Sequence, residues 1–400
     1  MRALRKIRIF YKKFLRKTYK LRSASEVLVA DVLYDRRQGV GISILSAALV
    51  PLSFIFLQIV KLRKIFYKKN IFLSQSIGCP VIVVGNLTLG GTGKTPIVEK
   101  LARELCSRGR KVAVLSRGYK SRAEPKLNVF LRWITNKKEP PPKVVSDGRS
   151  VFLGSNVAGD EPFMLASNLS NVPVVVDKDR VKAGRYAVER FGADALVLDD
   201  GYQYFPLHGH INLLLIDKTN PFGNGYLLPR GILREPLKEI RRASYVFITK
   251  SDCCQNDGLA GIVKHYNPNA KIVQCAHFPR QLISLDRKEA RTIDYVSEKK
   301  IMAFSGIASP NSFENFLIKN NADVVYKKRF ADHHMFSNGE LDNIFNVGSA
   351  KGAEMAITTE KDAVRIPKNF STVLPTFFIK IDIEILDGKE VFEEILGHFN

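Results

Sequence analysis

The run Val81-Ile82-Val83-Val84-Gly85-Asn86-Leu87-Thr88-Leu89-Gly90-Gly91-Thr92-Gly93-Lys94-Thr95-Pro96 sets an apolar strand before a glycine-rich loop and a helix start. Small residues let successive backbone N–H groups wrap a triphosphate, so Thr88, Leu89, Gly90, Gly91, Thr92 and Gly93 are the candidate cradle. Lys94 can reach the β and γ oxygens, and the Thr95 hydroxyl can ligate Mg²⁺. Thr88 stands where the usual pattern has its first glycine. The strand before it and the helix after it still supply the context that nucleotide binding requires.

Such a loop works with carboxylates that hold the metal, and Leu196-Val197-Leu198-Asp199-Asp200-Gly201 closes an apolar strand on two of them. Adjacent carboxylates there are costly unless they meet a cation, which makes Asp199 and Asp200 the expected Mg²⁺ side; capping of the next turn is the simpler alternative. Gly159-Asp160-Glu161-Pro162 opens a helix, and N-capping alone would explain Asp160. Near a phosphate site the same aspartate can take a proton from an acceptor hydroxyl. In Phe330-Ala331-Asp332-His333-His334 the paired histidines point apart and no third ligand is evident. One histidine working in catalysis beside a carboxylate is therefore preferred to a metal site. Arg117, Arg180 and Arg234 follow predicted strands or turns, where guanidinium forks suit phosphate oxygens; any one alone is more often a surface ion pair, but three at such places point to phosphate. Thr249-Lys250-Ser251-Asp252 resembles the guanine-reading N/T-K-x-D pattern of GTPases, so a membrane-associated GTPase or ATPase switch is kept as the rival reading.

Positioning these groups takes a parallel α/β sheet covered on both faces, because the strands read as near-continuous apolar runs. Strands are expected at 81–84, 111–116, 172–176, 195–199, 211–216, 245–249 and 271–275, with helices between them, notably 96–107 and 179–191. Residues 281–300 are polar and without helical period, a linker or short ribbon. A second α/β set follows, with strands at 301–304, 322–326, 354–358 and 376–381 and a closing helix near 389–399. The expected fold is thus a P-loop NTPase-like domain at 61–280 and a smaller C-terminal α/β domain at 301–400. A basic amphipathic arm at 1–40 and an N-terminal membrane helix at 41–60 precede them.

The chain carries a net charge of +23 over 400 residues, and ten lysines and arginines between Arg2 and Arg22 precede the first acidic residue, Glu26. A basic arm attracts anionic lipid or nucleic acid alike. The uncharged run GISILSAALVPLSFIFLQIV at 41–60 decides for lipid, since as a helix it would span about 30 Å. Basic residues flank it on both sides and Pro51 interrupts it, so a helix lying or looping in the inner leaflet stands beside a spanning one. No nucleic-acid partner is expected. Cys79, Cys106, Cys253, Cys254 and Cys275 show no zinc-ligand spacing and read as reduced thiols.

In order along the chain, VVGNLTLGGTGKTP, LSRGY, GDEP, DKDRVKAG, LDDGYQ, FGNGYLLPRGILREP, AFSGIASP, FADHH and TTEKDAVR resemble the tetraacyldisaccharide 4'-kinase family, the lipid A kinases of Gram-negative bacteria. The resemblance implies ATP-dependent phosphorylation of the 4'-hydroxyl of a tetraacylated glucosamine disaccharide 1-phosphate, a lipid A precursor. The product would be lipid IVA, made at the cytoplasmic face of the inner membrane. By motif, the family's catalytic aspartate falls on Asp160 and its partner on His333, which would orient Asp160 and raise its basicity. Lys94, Thr95, Asp200, Asp199, Gln203 and Glu235 would hold ATP and Mg²⁺, and Arg180 and Arg234 would line the phosphate-transfer site. Three features depart from the family's pattern: Tyr204 where histidine is usual, Lys120 where glycine is common, and the long basic arm. Oligomeric state is left open.

Overall fold

The computed structural model describes residues 31–35, 39–118, 139–252, 257–367 and 369–399. The arm at 1–30, Tyr119, Lys120, Cys253 and Cys254 lie outside the described residues. Valine- and isoleucine-rich runs form the strands, since branched side chains suit a pleated, buried surface. In the first half these are Val81–Asn86 (β1), Val112–Ser116 (β2), Lys143–Ser146 (β3), Val174–Val176 (β4), Ala195–Leu198 (β5), Ile211–Asp217 (β6) and Tyr245–Thr249 (β7). The remainder are Lys271–Ser284 (β8), Ala290–Arg291 (β9), Lys300–Ser305 (β10), Asp323–Arg329 (β11), Met355–Thr359 (β12) and Thr376–Asp387 (β13). The helices include Val40–Lys68 (α1), Lys94–Ser107 (α2), Ser155–Ala158 (α3), Asp160–Asn168 (α4), Arg180–Phe191 (α5) and Asp257–Tyr266 (α6). Pro310–Lys319 (α7), Asn338–Ala350 (α8), Glu360–Ala363 (α9) and Lys389–Gly397 (α10) follow.

By internal packing the chain divides into two units. The larger holds all strands in one sheet, in the order β11-β10-β12-β13-β8-β7-β6-β1-β5-β2-β4-β3, with β9 on β8. Most neighbours are parallel, which sets strand carboxyl ends along one edge, where α/β proteins bind their ligands. Strand alternation sends Ile82 and Val84 to a core shared with Leu101 of α2, Leu165 of α4 and Leu396 of α10. Val81 and Val83 face the opposite core with Val181 and Ala187 of α5. The later strands repeat the plan, Ile301 and Ala303 packing with Leu317, and Met302 and Phe304 with Ile344 and Phe345. The α/β fold with helices on both faces is as the sequence implies.

The expected strands recur within a few residues, with two differences. β3, an antiparallel edge strand beside β4, was not anticipated. β8 and β13 run well past the expected ends and pair antiparallel from Phe377 opposite Ser284 to Asp387 opposite Gln274. Their alternating burial hides behind polar residues; residues 281–300, expected as a linker or short ribbon, hold the end of β8, its antiparallel partner β9 and a 3-10 turn at Ile293–Val296.

The smaller unit gathers residues up to Ile71 with Leu87–Gly90 and Asn220–Glu239. α1 is longer than the expected 41–60 because its basic end still favours helix. Its buried residues are Ser46 and Ser53, while Ile44, Phe54 and Ile59 are each at least 60% exposed. The Ser53 hydroxyl donates to Leu227 O at 2.8 Å and accepts the Arg230 N–H at 3.1 Å. Lys64 pairs with Glu239, and Arg230 with Asp35 at 2.9 Å. Polar groups therefore face the protein and apolar ones face outward, the inverse of a water-soluble helix.

Candidate active site

β1 delivers the glycine-rich loop and α2 begins at Lys94, so the loop's N–H groups and the helix N-terminus favour an anion. Gly93 turns through φ +80°, and a Cβ there would lie 2.6 Å from His277 Nε2. Thr249 Oγ1 donates to Thr92 O at 2.9 Å, fixing the loop from β7. The buried Thr92 Oγ1 has no hydrogen-bond partner among the described residues. Lys94 Nζ donates to Asn86 Oδ1 at 3.1 Å and lies 3.5 Å from Asp200 Oδ1. Gln203 Nε2 donates to Asn86 O at 2.9 Å, closing a cluster of Asn86, Lys94, Asp200 and Gln203.

Asp199 directly follows β5 and accepts the Ser116 hydroxyl at 3.1 Å. Burial above all, then neighbouring Asp200, pushes its carboxyl up to about 6, with Lys94 opposing. Asp200 adopts φ 50°, a left-handed turn that aspartate tolerates better than most residues. A buried carboxylate beside a half-exposed one suits a cation. Among the described residues no three histidine, cysteine or acidic groups cluster for a metal. Two carboxylates and the Thr95 hydroxyl instead suit Mg²⁺, which keeps phosphate and water oxygens among its ligands. The donor set fits.

Arg180 starts α5 and is buried, with its guanidinium 3.7 Å from the Tyr204 ring centroid. Its Nη1 donates to Lys178 O at 3.0 Å, whereas its buried Nε has no hydrogen-bond partner among the described residues. Burial, the largest influence, holds this guanidinium below its ordinary value, and Arg117 adds to the fall against Tyr204, Asp200 and Asp199. An orphaned donor in a buried cation is a place where a phosphate oxygen would be satisfied. In the smaller unit, Arg234 N donates to Leu87 O at 2.7 Å and Leu89 N to Ile232 O at 2.7 Å, while Thr88 bridges Leu233. Glu235 is buried in that unit.

Asp160 opens α4, and Oδ2 lies 3.1 Å from His333 Nδ1. His333 comes from the loop after β11, at φ 59°. The structure also brings in Arg365, whose Nε donates to the same Asp160 oxygen at 2.7 Å and whose Nη2 lies 3.1 Å from His333 Nδ1. Burial pushes Asp160 up, but the His333 hydrogen bond and the Arg365 charge outweigh it and hold the carboxyl below its usual value. The expectation that His333 raises the basicity of Asp160 is therefore corrected: a donor on a carboxylate stabilises the charged form. His334 turns away, stacking on Phe330 at 4.6 Å. The residue missed from sequence, Arg365, ends the TTEKDAVR segment, but only the fold brings it to Asp160. Lys250 pairs with Asp217, and Lys218 with Asp252, so the T-K-x-D side chains are engaged within the protein.

The family model for tetraacyldisaccharide-1-P 4'-kinase matches this chain from residue 45 to residue 400. A tetraacyldisaccharide 4'-kinase of Syntrophus aciditrophicus is 37% identical over 346 residues, 84% of this chain and 88% of the relative. That of Anaeromyxobacter dehalogenans (strain 2CP-C) is 36% identical over 342 residues, 84% and 86% of the two chains. The fold is similar to a crystal structure of LpxK from Aquifex aeolicus, described as an "apo" form in complex with ATP. The TM-score is 0.69 at 28% identity, covering 89% of this chain and 99% of that one. A match of this extent, across the loop, both acidic clusters and the FADHH segment, shows that the chain belongs to the tetraacyldisaccharide 4'-kinase family.

Proposed function

We propose that this protein transfers the γ-phosphoryl group of ATP to the 4'-hydroxyl of a tetraacylated glucosamine disaccharide 1-phosphate, giving lipid IVA in lipid A biosynthesis. The observation that carries the reading is the ionised Asp160 held by His333 in the same unit as Lys94, Asp199 and Asp200. The charge of Glu161, next to Asp160, reaches Asp199, which relates the two clusters electrostatically. Asp160 is the proposed catalytic base, taking the hydroxyl proton as the oxygen attacks phosphorus, with His333 orienting it. Residues 88–95 and Gln203 are the proposed ATP-binding groups, with Arg180 and Arg234 on phosphate oxygens.

Thr95, Asp199, Asp200 and Glu235 are the proposed Mg²⁺ ligands. A bound Mg²⁺ would neutralise phosphate charge as the phosphoryl group leaves. The exposed apolar face of α1, with Lys61, Arg63 and Lys64 toward its C-terminal end, supports a seat in the inner membrane with the active site on its cytoplasmic face. Residues 61–280 and 301–400 are proposed as the two functional lobes, the first for ATP and the second supplying His333. Family membership does not favour the GTPase switch.

Mass spectrometry of the product tests the reading. The protein in detergent with ATP, Mg²⁺ and the disaccharide 1-phosphate is expected to yield a bisphosphate carrying the new group at the 4' position. A lipid left unmodified would overturn it.

A further inference from the structure

The structure assigns Arg365 as a positioning residue for phosphoryl transfer: its guanidinium fork grips Asp160 Oδ2 and reaches His333 Nδ1, setting the orientation in which the aspartate meets the acceptor hydroxyl. This inference rests on the reading of Asp160 as the base.

Three observations carry it. First, the side chain of Arg365 is wholly buried, and Nη1 donates to Gly306 O at 3.0 Å and to Asp362 Oδ1 at 3.2 Å. Asp362 is fixed in turn, Oδ1 accepting Gly306 N–H at 3.0 Å and Oδ2 the Thr359 hydroxyl at 2.6 Å. The guanidinium is therefore clamped from behind before it touches the site. Second, Nε and Nη2 emerge on the other edge, 2.7 Å from Asp160 Oδ2 and 3.1 Å from His333 Nδ1. A planar fork sets Nε on Oδ2 while Nη2 packs beside His333 Nδ1, whose single proton goes to the same oxygen, a geometry that a lysine ammonium does not reproduce. Third, both groups occupy Oδ2, which leaves Oδ1 as the oxygen to receive a proton.

The charge matters as well as the shape. Arg365 and His333 face Asp160; Asp362 faces Arg365 from behind, Asp332 acts on Asp362, and Glu161 follows Asp160 on α4. Among these Arg365 is the fixed cation nearest the carboxylate. It keeps Asp160 ionised, and thus able to accept a proton, to lower pH than burial alone would allow.

The test measures turnover of the disaccharide 1-phosphate against pH for the full chain and for Arg365→Met, Arg365→Lys and Asp160→Asn. Arg365→Met is expected to lower kcat roughly 10- to 100-fold, in line with the sensitivity of transfer to small misplacements, while KM for ATP stays put. Its acid limb should move to higher pH, because the carboxyl without its cation protonates earlier. Arg365→Lys should keep the wild-type limb and recover only part of kcat. A folded Arg365→Met enzyme with wild-type kcat and limb would overturn the inference; where that variant does not fold, wild-type kcat in Arg365→Lys does so. Normal turnover in Asp160→Asn removes the base reading itself, whereas an inactive Asp160→Asn beside normal Arg365 variants removes only the role given to Arg365.

Discussion

Tyr204 packs against the buried Arg180, and its surroundings show what the side chain provides. The ring lies beneath the Arg180 guanidinium at 3.7 Å. Its hydroxyl accepts the Arg180 N–H at 3.0 Å and donates to Asp179 Oδ1 at 3.2 Å. Asp179 caps α5 through Val181 N and Lys182 N, so one side chain steadies both the arginine and the helix start. A buried cation–π contact contributes about 1 to 2 kcal/mol, which predicts that Tyr204→Leu lowers kcat/KM for ATP roughly 5- to 30-fold. Tyr204→Phe keeps the ring and should recover most of that loss in steady-state kinetics. Residue types were legible in the sequence: Lys94, Asp199, Asp200, Asp160 and His333 stand in short motifs that mark them as candidates, and the fold sets Lys94 near Asp200 and Asp160 beside His333. Arg365 was not, because it meets Asp160 across 205 positions and its motif offers no local reason for the encounter.

Between elements, the joint that matters is a buried set of charges. Lys380 of β13 donates to Glu99 of α2 and to Glu360 of α9, each at 3.0 Å. Asn168 at the end of α4 donates to the same two carboxylates at 2.9 and 2.7 Å. The helix that follows the phosphate loop, the helix that begins with Asp160 and the turn that leads to Arg365 are thereby tied to one strand. Removing one member of such a set strands the others without compensation, so Lys380→Met should cost about 3 to 5 kcal/mol in a denaturant titration. Adding Glu99→Gln and Glu360→Gln to that variant should restore part of the loss. None of this was visible in the sequence, where Lys380 reads as one more charge beside an apolar run. The strands themselves were legible from their apolar runs. β3 and the outer halves of β8 and β13 were not, because their buried positions alternate with polar ones.

For the molecule as a whole, α1 poses the question of where the protein resides. The proposed membrane seat uses the exposed Phe54, Ile55 and Ile59, and replacing all three with serine should move the protein from vesicles of anionic lipid into the supernatant on sedimentation. Turnover of a short-chain soluble substrate should be retained. The apolar run was plain in the sequence, but the inward placement of Ser46 and Ser53 was not; for Ser53 the partners come from Leu227 and Arg230, far along the chain. The antiparallel seam of β8 and β13 has a consequence for synthesis on the ribosome. Residues 376–387 complete the sheet on the exposed edge of β8, and Phe392 and Leu396 then enter the core beneath the phosphate loop. Without that segment β8 and β12 keep open edges and the core lacks Phe392 and Leu396, so a chain ending before residue 376 is expected to be cut faster in limited proteolysis than the full chain.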